Sequence, residues 1–419
     1  MMNRRSFAGL VAGAGVAVAV GGAKAQTQRL RTVLYSAVGP EFTLYDIDVD
    51  GAALAKRSSL MLPANVQYAW PHPTNRYFYV VSSNGEPGGG AKGDKHVLNA
   101  FRIDSATGAL SPHGESRNLP SRPIHASVDR AGEYVLTAYN EPSNVTAHRL
   151  NADGTVGQLV NQPNKLDTGI YAHQIRTTPN NQTAILITRG NNAAGGKPED
   201  PGAIKVLGFK NGVFTPLQSI APGNGLGFGP RHLDFHPTKP WVFVSIERQN
   251  QLYVYELKPD GTLGTQPLFV KQTLADPRNV RPSQGAGTIH IHPNGRVVYL
   301  TNRNAGTIPF AGKQVFNGGE NNVAAFSIDQ NTAEPRLAGT ADGHGIQLRT
   351  FAIHPSGRLL VAASIQPLPV RKGETTELLS AGLSVYRLSE NDGQPTFVRK
   401  YDIDTAKGTQ FWSGMVTLA

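Results

Sequence analysis

The stretch RHLDFHPTKPWVFVSIE, residues 231–247, decides the fold. A short apolar strand runs into a turn at His236-Pro237, and a second, at 241–246, leaves it. Two such runs joined by turn residues form a β-hairpin. The phrase returns as VQYAWPHPTNRYFYVVSS (66–83), IHASVDRAGEYVLTAYN (124–140), HQIRTTPNNQTAILITR (173–189), GTIHIHPNGRVVYLTNR (287–303) and RTFAIHPSGRLLVAASI (349–365). Anchored on Pro73, Arg130, Pro179, Pro237, Pro293 and Pro355, the copies lie 49 to 62 residues apart. A repeat of that length built from apolar strands is the signature of radially arranged sheets, as in a β-propeller.

A third strand follows several hairpins, at 251–257, 321–329 and 382–388, and a fourth is less regular. Six anchors give six four-stranded antiparallel blades. A seventh is available if the N-terminal strands within 32–51 close against the C-terminal segment at 411–415, which removes the exposed edges of an open ring. The expectation is an all-β, seven-bladed propeller, with six or eight blades as alternatives, filling residues 26–419 as one domain. The 46 glycines and 29 prolines suit a chain rich in turns, and helical periodicity is nowhere sustained.

Residues 1–25 read differently. Arg4-Arg5 is followed by Ser6-Phe7, an uncharged Ala/Gly/Val-rich run to Gly22, and Ala23-Lys24-Ala25, which has the small-residue form of a cleavage site. This pattern predicts a twin-arginine signal peptide, handed to the twin-arginine export machinery and removed, with the mature protein in the periplasm. The competing reading, a membrane anchor, is opposed by the weak, glycine-rich apolar run. No later stretch approaches the roughly 18 apolar residues of a membrane span. The absence of cysteine excludes disulfides, thiolate metal sites and a cysteine nucleophile. The formal charge is +10, and Arg4, Arg5 and Lys24 account for three of the positive charges. No basic run or helix concentrates the rest, so nucleic acid is not an expected partner. The excess fits either a plain basic protein or a pocket that attracts anionic small molecules.

If each turn centres two residues past its anchor, the residue six before the anchor lies beside the one ten after it. That sets Arg231 beside Glu247, His173 beside Arg189, Gly287 beside Arg303, Ile124 beside Asn140 and Gln67 beside Ser83. Residues five before the anchors include His125 and His232, and Arg349 takes the six-before position of the last copy. First strands of blades line the central channel, so these residues are expected around one mouth. The long connections at 84–96, 190–203, 304–321 and 366–381 lie over that mouth and can form a pocket.

The candidate catalytic residues are therefore His173, Glu247, Arg231 and Arg303. The candidate substrate-binding residues are His232, His125, Asn140, Arg189 and Arg349. A carboxylate or imidazole can take a proton from water, a guanidinium can stabilise an oxyanion, and an imidazole can protonate a departing alkoxide. Those are the parts that lactone hydrolysis needs. The same residues also suit a structural ion pair between Arg231 and Glu247 and histidines bonded between blades. His236, His292 and His354 recur at the turns and are expected to support them, while His290 is left outside the site. No GxSxG, HExxH or phosphate loop is present, and APGNGLGFGP (221–230) opens no helix. A divalent cation held by Glu247, His173 and Asn140 would be opposed by the flanking arginines. No metal or other cofactor is expected.

GPRHLDFHPTKPWVFVSIERQNQLYVYEL, IHIHPNGRVVYLTNR and TFAIHPSGRLLVAAS resemble the seven-bladed propeller lactonase family. That family includes bacterial 6-phosphogluconolactonases, periplasmic gluconolactonases and the fungal 3-carboxy-cis,cis-muconate lactonizing enzyme. The resemblance covers essentially the whole mature chain and implies a cofactor-free enzyme with its site in the channel mouth. It matches the family's site histidine to His173 in YAHQ, its arginines to Arg231 in GPRH and Arg303 in TNR, and its glutamate to Glu247. The chain departs from the pattern at TTPNNQ (177–182), at Arg248 and in its long glycine-rich inserts. The expected function is hydrolysis of a gluconolactone-like sugar-acid lactone. The alternatives are a muconate-type cycloisomerase, whose arginines clamp carboxylates, and a non-catalytic platform that binds a glycan or a partner protein.

Overall fold

The protein is described here by a computed structural model covering residues 31–419. The expected signal at 1–25 lies outside the described residues. Seven antiparallel sheets make the ring, each of four strands in a simple meander, with a short fifth strand, Arg117–Asn118, on the first. In blade 4 the order from the channel outward is Pro230–Phe235, Trp241–Ile246, Gln251–Glu256 and Phe269–Gln272. Trp241–Ile246 is buried at every position, whereas Phe269–Gln272 alternates between half-buried and exposed. The continuous apolar run is thus a strand covered on both faces, and alternation returns at the rim. Neighbouring blades share cores, as where Ile185, Ile187 and Val206 of blade 3 pack on Leu233, Val242 and Val244 of blade 4.

The seventh blade forms as expected. Its innermost strand, Gln410–Thr417, pairs with Thr32–Val38, with Val33 opposite Val416 and Ala37 opposite Trp412. Glu41–Asp48 and Ala53–Met61 complete it. The Trp412 indole stacks on Phe42 with 5.6 Å between ring centroids, which fastens the closure with aromatic area.

The turn histidines join one blade to the next. His72, His236 and His292 donate from Nε2 to the carbonyls of Gly132 (3.0 Å), Gly295 (2.8 Å) and Gly357 (2.9 Å). Each of these glycines has a φ near +74°, and a Cβ there would sit 2.4–2.6 Å from the histidine ring. In blade 3 the unusual TTPNNQ turn puts Asn181 at this position with φ +58°. Asparagine tolerates the left-handed region, and here its Nδ2 donates to Asp129 (2.8 Å) while its Oδ1 accepts from the Arg130 N–H (3.0 Å). His354 instead bonds within its own turn, to Ser356 at 2.8 Å.

One feature of the inner hairpins departs from the expected register. Every innermost strand carries a β-bulge at the same place: Gln67, Ile124, His173, Arg231, Arg349 and Phe411 are each the extra residue, and in blade 5 Gly287 and Thr288 together oppose Thr301. A bulge sets two residues against one and shifts all pairing beyond it. The turn already brings Tyr68 opposite Val81, one residue short of the expected Ser82, and the bulge adds one more, so Ser83 pairs with Asn65 rather than Gln67, Tyr139 with Pro123, and Arg303 with Gly285 rather than Gly287. The Glu247 and Arg189 N–H groups reach the carbonyls of Gly229 and Tyr171, each at 2.9 Å, rather than Arg231 and His173. Two long connections contain additional hairpins, Thr307–Phe310 with Lys313–Phe316 and Leu368–Lys372 with Thr375–Leu379.

Candidate active site

Glu247 follows the second strand of blade 4, where the ladder ends and its side chain swings over the channel mouth. Three guanidiniums from three blades converge on it. Arg303 Nη2 donates to Oε1 at 2.8 Å, Arg189 Nη1 lies 3.8 Å from Oε1, and Arg231 Nε lies 3.4 Å from Oε2. Burial alone would raise the carboxyl pKa, but Arg303, Arg189 and Arg231 outweigh it and take it down to about 2. The Arg231 contact is an ion pair without hydrogen-bond alignment, so Glu247 Oε2 makes no hydrogen bond to the protein. Arg231 also donates from Nη1 to Thr288 Oγ1 at 3.4 Å. The Arg349 guanidinium lies over the Phe411 ring, 3.5 Å from its centroid, and that of Arg189 over Tyr171 at 4.0 Å. Four guanidiniums against one carboxylate leave the mouth strongly positive, a field that draws in anions.

A cavity of about 310 Å³ opens over this cluster. Of the nine residues singled out from sequence, Arg189, Glu247 and Arg303 line it. Arg231 lies directly beneath, 1% exposed. His173, His232 and His125 are buried deeper in the channel and contact one another in series, with ring centroids 5.0 Å and 6.1 Å apart. Burial first, and then nearby guanidiniums, hold all three imidazoles well below their usual pKa, so they are neutral at neutral pH. His173 Nδ1 and His125 Nε2 make no hydrogen bond to the protein. Asn140 Nδ2 donates to the Gly88 carbonyl at 3.0 Å, while its Oδ1 makes no hydrogen bond to the protein. Arg349 is buried beside the same glycine.

The remaining cavity wall includes residues that the repeat arithmetic missed. Arg248 pairs with Glu199, and Gln284 and Asn304 brace the loops of blade 5 through Glu320 and Gly318. Arg248 stood out in the sequence as a departure from the family pattern, whereas Gln284 and Asn304 sit in loops with no repeat phrase. Among the described residues no three His, Asp or Glu side chains converge on a metal position. Guanidiniums surround Glu247 and oppose a cation beside it.

The sequence profile described as "Lactonase, 7-bladed beta-propeller" matches residues 35–366. The chain belongs to this lactonase family. Among curated relatives of this lactonase-family propeller, it is 24% identical over 324 residues to the 6-phosphogluconolactonase of Bacillus subtilis (strain 168), covering 76% of this chain and 83% of that one. It is 26% identical over 343 residues to the 6-phosphogluconolactonase of Pectobacterium carotovorum subsp. carotovorum (strain PC1), covering 82% and 86%. Among solved structures, the periplasmic gluconolactonase of Pseudomonas aeruginosa superposes with a TM-score of 0.67 at 20% identity, covering 93% and 99% of the two chains. At that identity the structural likeness bears on the fold.

Proposed function

We propose that this lactonase-family protein is exported to the periplasm by the twin-arginine route and there hydrolyses a sugar-acid lactone of the gluconolactone type. The observation that carries the reading is the Glu247 carboxylate, set among Arg189, Arg231 and Arg303 at the floor of a cavity sized for a small ring. In this reading Arg303 and Arg189 hold the lactone carbonyl oxygen and stabilise the negative charge that develops on it. Water attacks the carbonyl carbon while Glu247 Oε2 takes its proton. The ring C–O bond breaks, the proton passes to the departing alkoxide, and the product hydroxy acid ionises.

A carboxylate with a pKa near 2 is a weak base. An anionic or hydroxyl-rich substrate would draw the guanidiniums away from Glu247 and raise its basicity on binding. The surplus of guanidiniums also favours a second reading, a cycloisomerase acting on a conjugated dicarboxylate. Loss of ultraviolet absorbance from a muconate would reveal that activity, whereas lactone hydrolysis releases acid.

The test is proton release from a panel of aldonolactones by the mature protein, with Glu247→Gln and Arg231→Ala beside it. The expected loss in kcat for Glu247→Gln is on the order of 10²–10⁴. Full activity in both variants would refute the assignment. Export is tested separately by replacing Arg4-Arg5 with Lys-Lys and following the protein into the periplasmic fraction.

A further inference from the structure

The connection between the second and third strands of blade 1, residues 84–95, crosses the channel mouth as a strap. Its tip, Gly88, is met from five consecutive blades. Its N–H faces Gln67 Oε1 of blade 1 at 3.4 Å, and its carbonyl accepts from Asn140 of blade 2 (3.0 Å) and from the Tyr171 hydroxyl of blade 3 (2.7 Å). With φ +75°, it has space for no side chain, since a Cβ would lie 2.9 Å from Phe411 of blade 7 and 3.7 Å from Arg349 of blade 6. A residue reached from five blades sits over the channel axis. The Tyr171 ring that holds its carbonyl stacks at 6.2 Å on His173, and His232 and His125 follow in series. The open cavity lies to one side, over Arg189, Glu247 and Arg303.

What holds the strap is Arg122, immediately before the inner strand of blade 2. Its side chain is 2% exposed, and among the described residues no carboxylate lies within ion-pair distance of it. Its Nη1 instead reaches the carbonyls of Glu86 (3.0 Å), Gly89, Gly90 (3.3 Å) and Ala91 (3.3 Å). An unpaired buried guanidinium is costly unless its hydrogen bonds are made. Here the strap's carbonyls surround Nη1 alone, while Nε makes no hydrogen bond, so the strap's carbonyls supply all the hydrogen bonding that offsets the buried charge, and charge and strap conformation depend on each other.

We infer that Arg122 is a positioning residue whose grip on residues 84–95 sets Gly88 as a plug on the channel axis, confining substrate to the shallow cavity beside it. The site then selects compact monocyclic lactones and keeps ring substituents out of the histidine-lined channel. The substrate half of this statement rests on the lactonase reading above, whereas the plug does not.

The experiment compares wild type, Arg122→Ala and Arg122→Lys in two assays. The first measures kcat and KM for an aldonolactone and for its O-benzylated form. The expected result for Arg122→Ala is a KM raised about tenfold for the compact lactone and a compact-to-benzylated selectivity ratio reduced about tenfold, with Arg122→Lys between. The second assay needs no turnover: diethylpyrocarbonate labelling mapped by mass spectrometry, with hydrogen exchange of residues 84–95. His125, His173 and His232 should be protected in wild type and labelled in Arg122→Ala, whose strap amides exchange at least tenfold faster while the outer blades keep wild-type exchange. Unchanged labelling and strap exchange would overturn the plug. An unchanged selectivity ratio with a freed strap would overturn the specificity role. Wild type inert on every lactone but protected at the three histidines would refute the lactonase reading and leave the plug standing.

Discussion

Acid should destabilise this ring before its carboxylates begin to protonate. His125, His173 and His232 are held well below a pKa of 6.5 by burial first and by neighbouring guanidiniums second. In the unfolded chain each binds a proton as pH drops through about 6.5, whereas in the folded channel it does not. Stability is therefore present above that value and is lost as pH falls below it, down to the folded pKa. Each imidazole costs less than about 0.1 kcal/mol at about pH 7.5 and at most about 1.4 kcal/mol at about pH 5.5. Together the three can remove at most about 4 kcal/mol, set against the ~5–15 kcal/mol that holds a typical domain folded. His148, taken down to about 4 by burial and Arg117, adds a fourth contribution of the same sign. The assay is equilibrium urea unfolding at about pH 7.5, 6.5 and 5.5 for wild type and His125→Gln, which keeps an acceptor for the Ile175 N–H. The variant should lose at most about 1.4 kcal/mol of the pH dependence. A wild-type loss worth less than one proton, or an identical pH dependence in the variant, would refute the reasoning.

Two further outcomes test the frame. Asp234, at the opposite mouth, is bound to Arg176 at 2.7 Å and accepts the Ile291 N–H at 3.0 Å, while Arg176 packs against the Trp70 and Phe235 rings. Asp234→Asn leaves that half-buried guanidinium without its counter-charge and should cost about 1–3 kcal/mol in unfolding free energy, with kcat at low temperature intact; an unchanged melting temperature would contradict it. Deleting residues 410–419 removes the innermost strand of blade 7 and bares the edge of Thr32–Val38, so size-exclusion chromatography should show association or aggregation rather than a folded monomer.

The ring was legible in the sequence because the turn phrase and the apolar run after it recur together, and because the unpaired N-terminal strands needed a partner that 411–415 could supply. Arg231, Glu247 and Arg303 were also legible as neighbours. Counting outward from the turn reached the correct end of the blade even though pairing there is shifted by two residues. The bulge itself left no trace, because its occupants, from Ile124 to Arg231 to Phe411, share no chemistry. Nor could the arithmetic separate the cavity wall from the channel beneath it. That separation comes from the strap, and Arg122 holds the strap through main-chain carbonyls, which every residue possesses.

The seven bulges also bear on how such a ring can change its chemistry over time. A residue outside the hydrogen-bonded ladder can be exchanged without disturbing the ladder, and the seven inner strands already carry glutamine, isoleucine, histidine, arginine, phenylalanine and the Gly287-Thr288 pair there. The scaffold thus offers seven sockets around one axis, of which those of blades 6 and 7 are coupled, since Arg349 packs on Phe411. Single substitutions there could re-equip the channel for a new ligand while every blade keeps its fold, and a deep mutational scan should find these positions far more permissive for folding than for function.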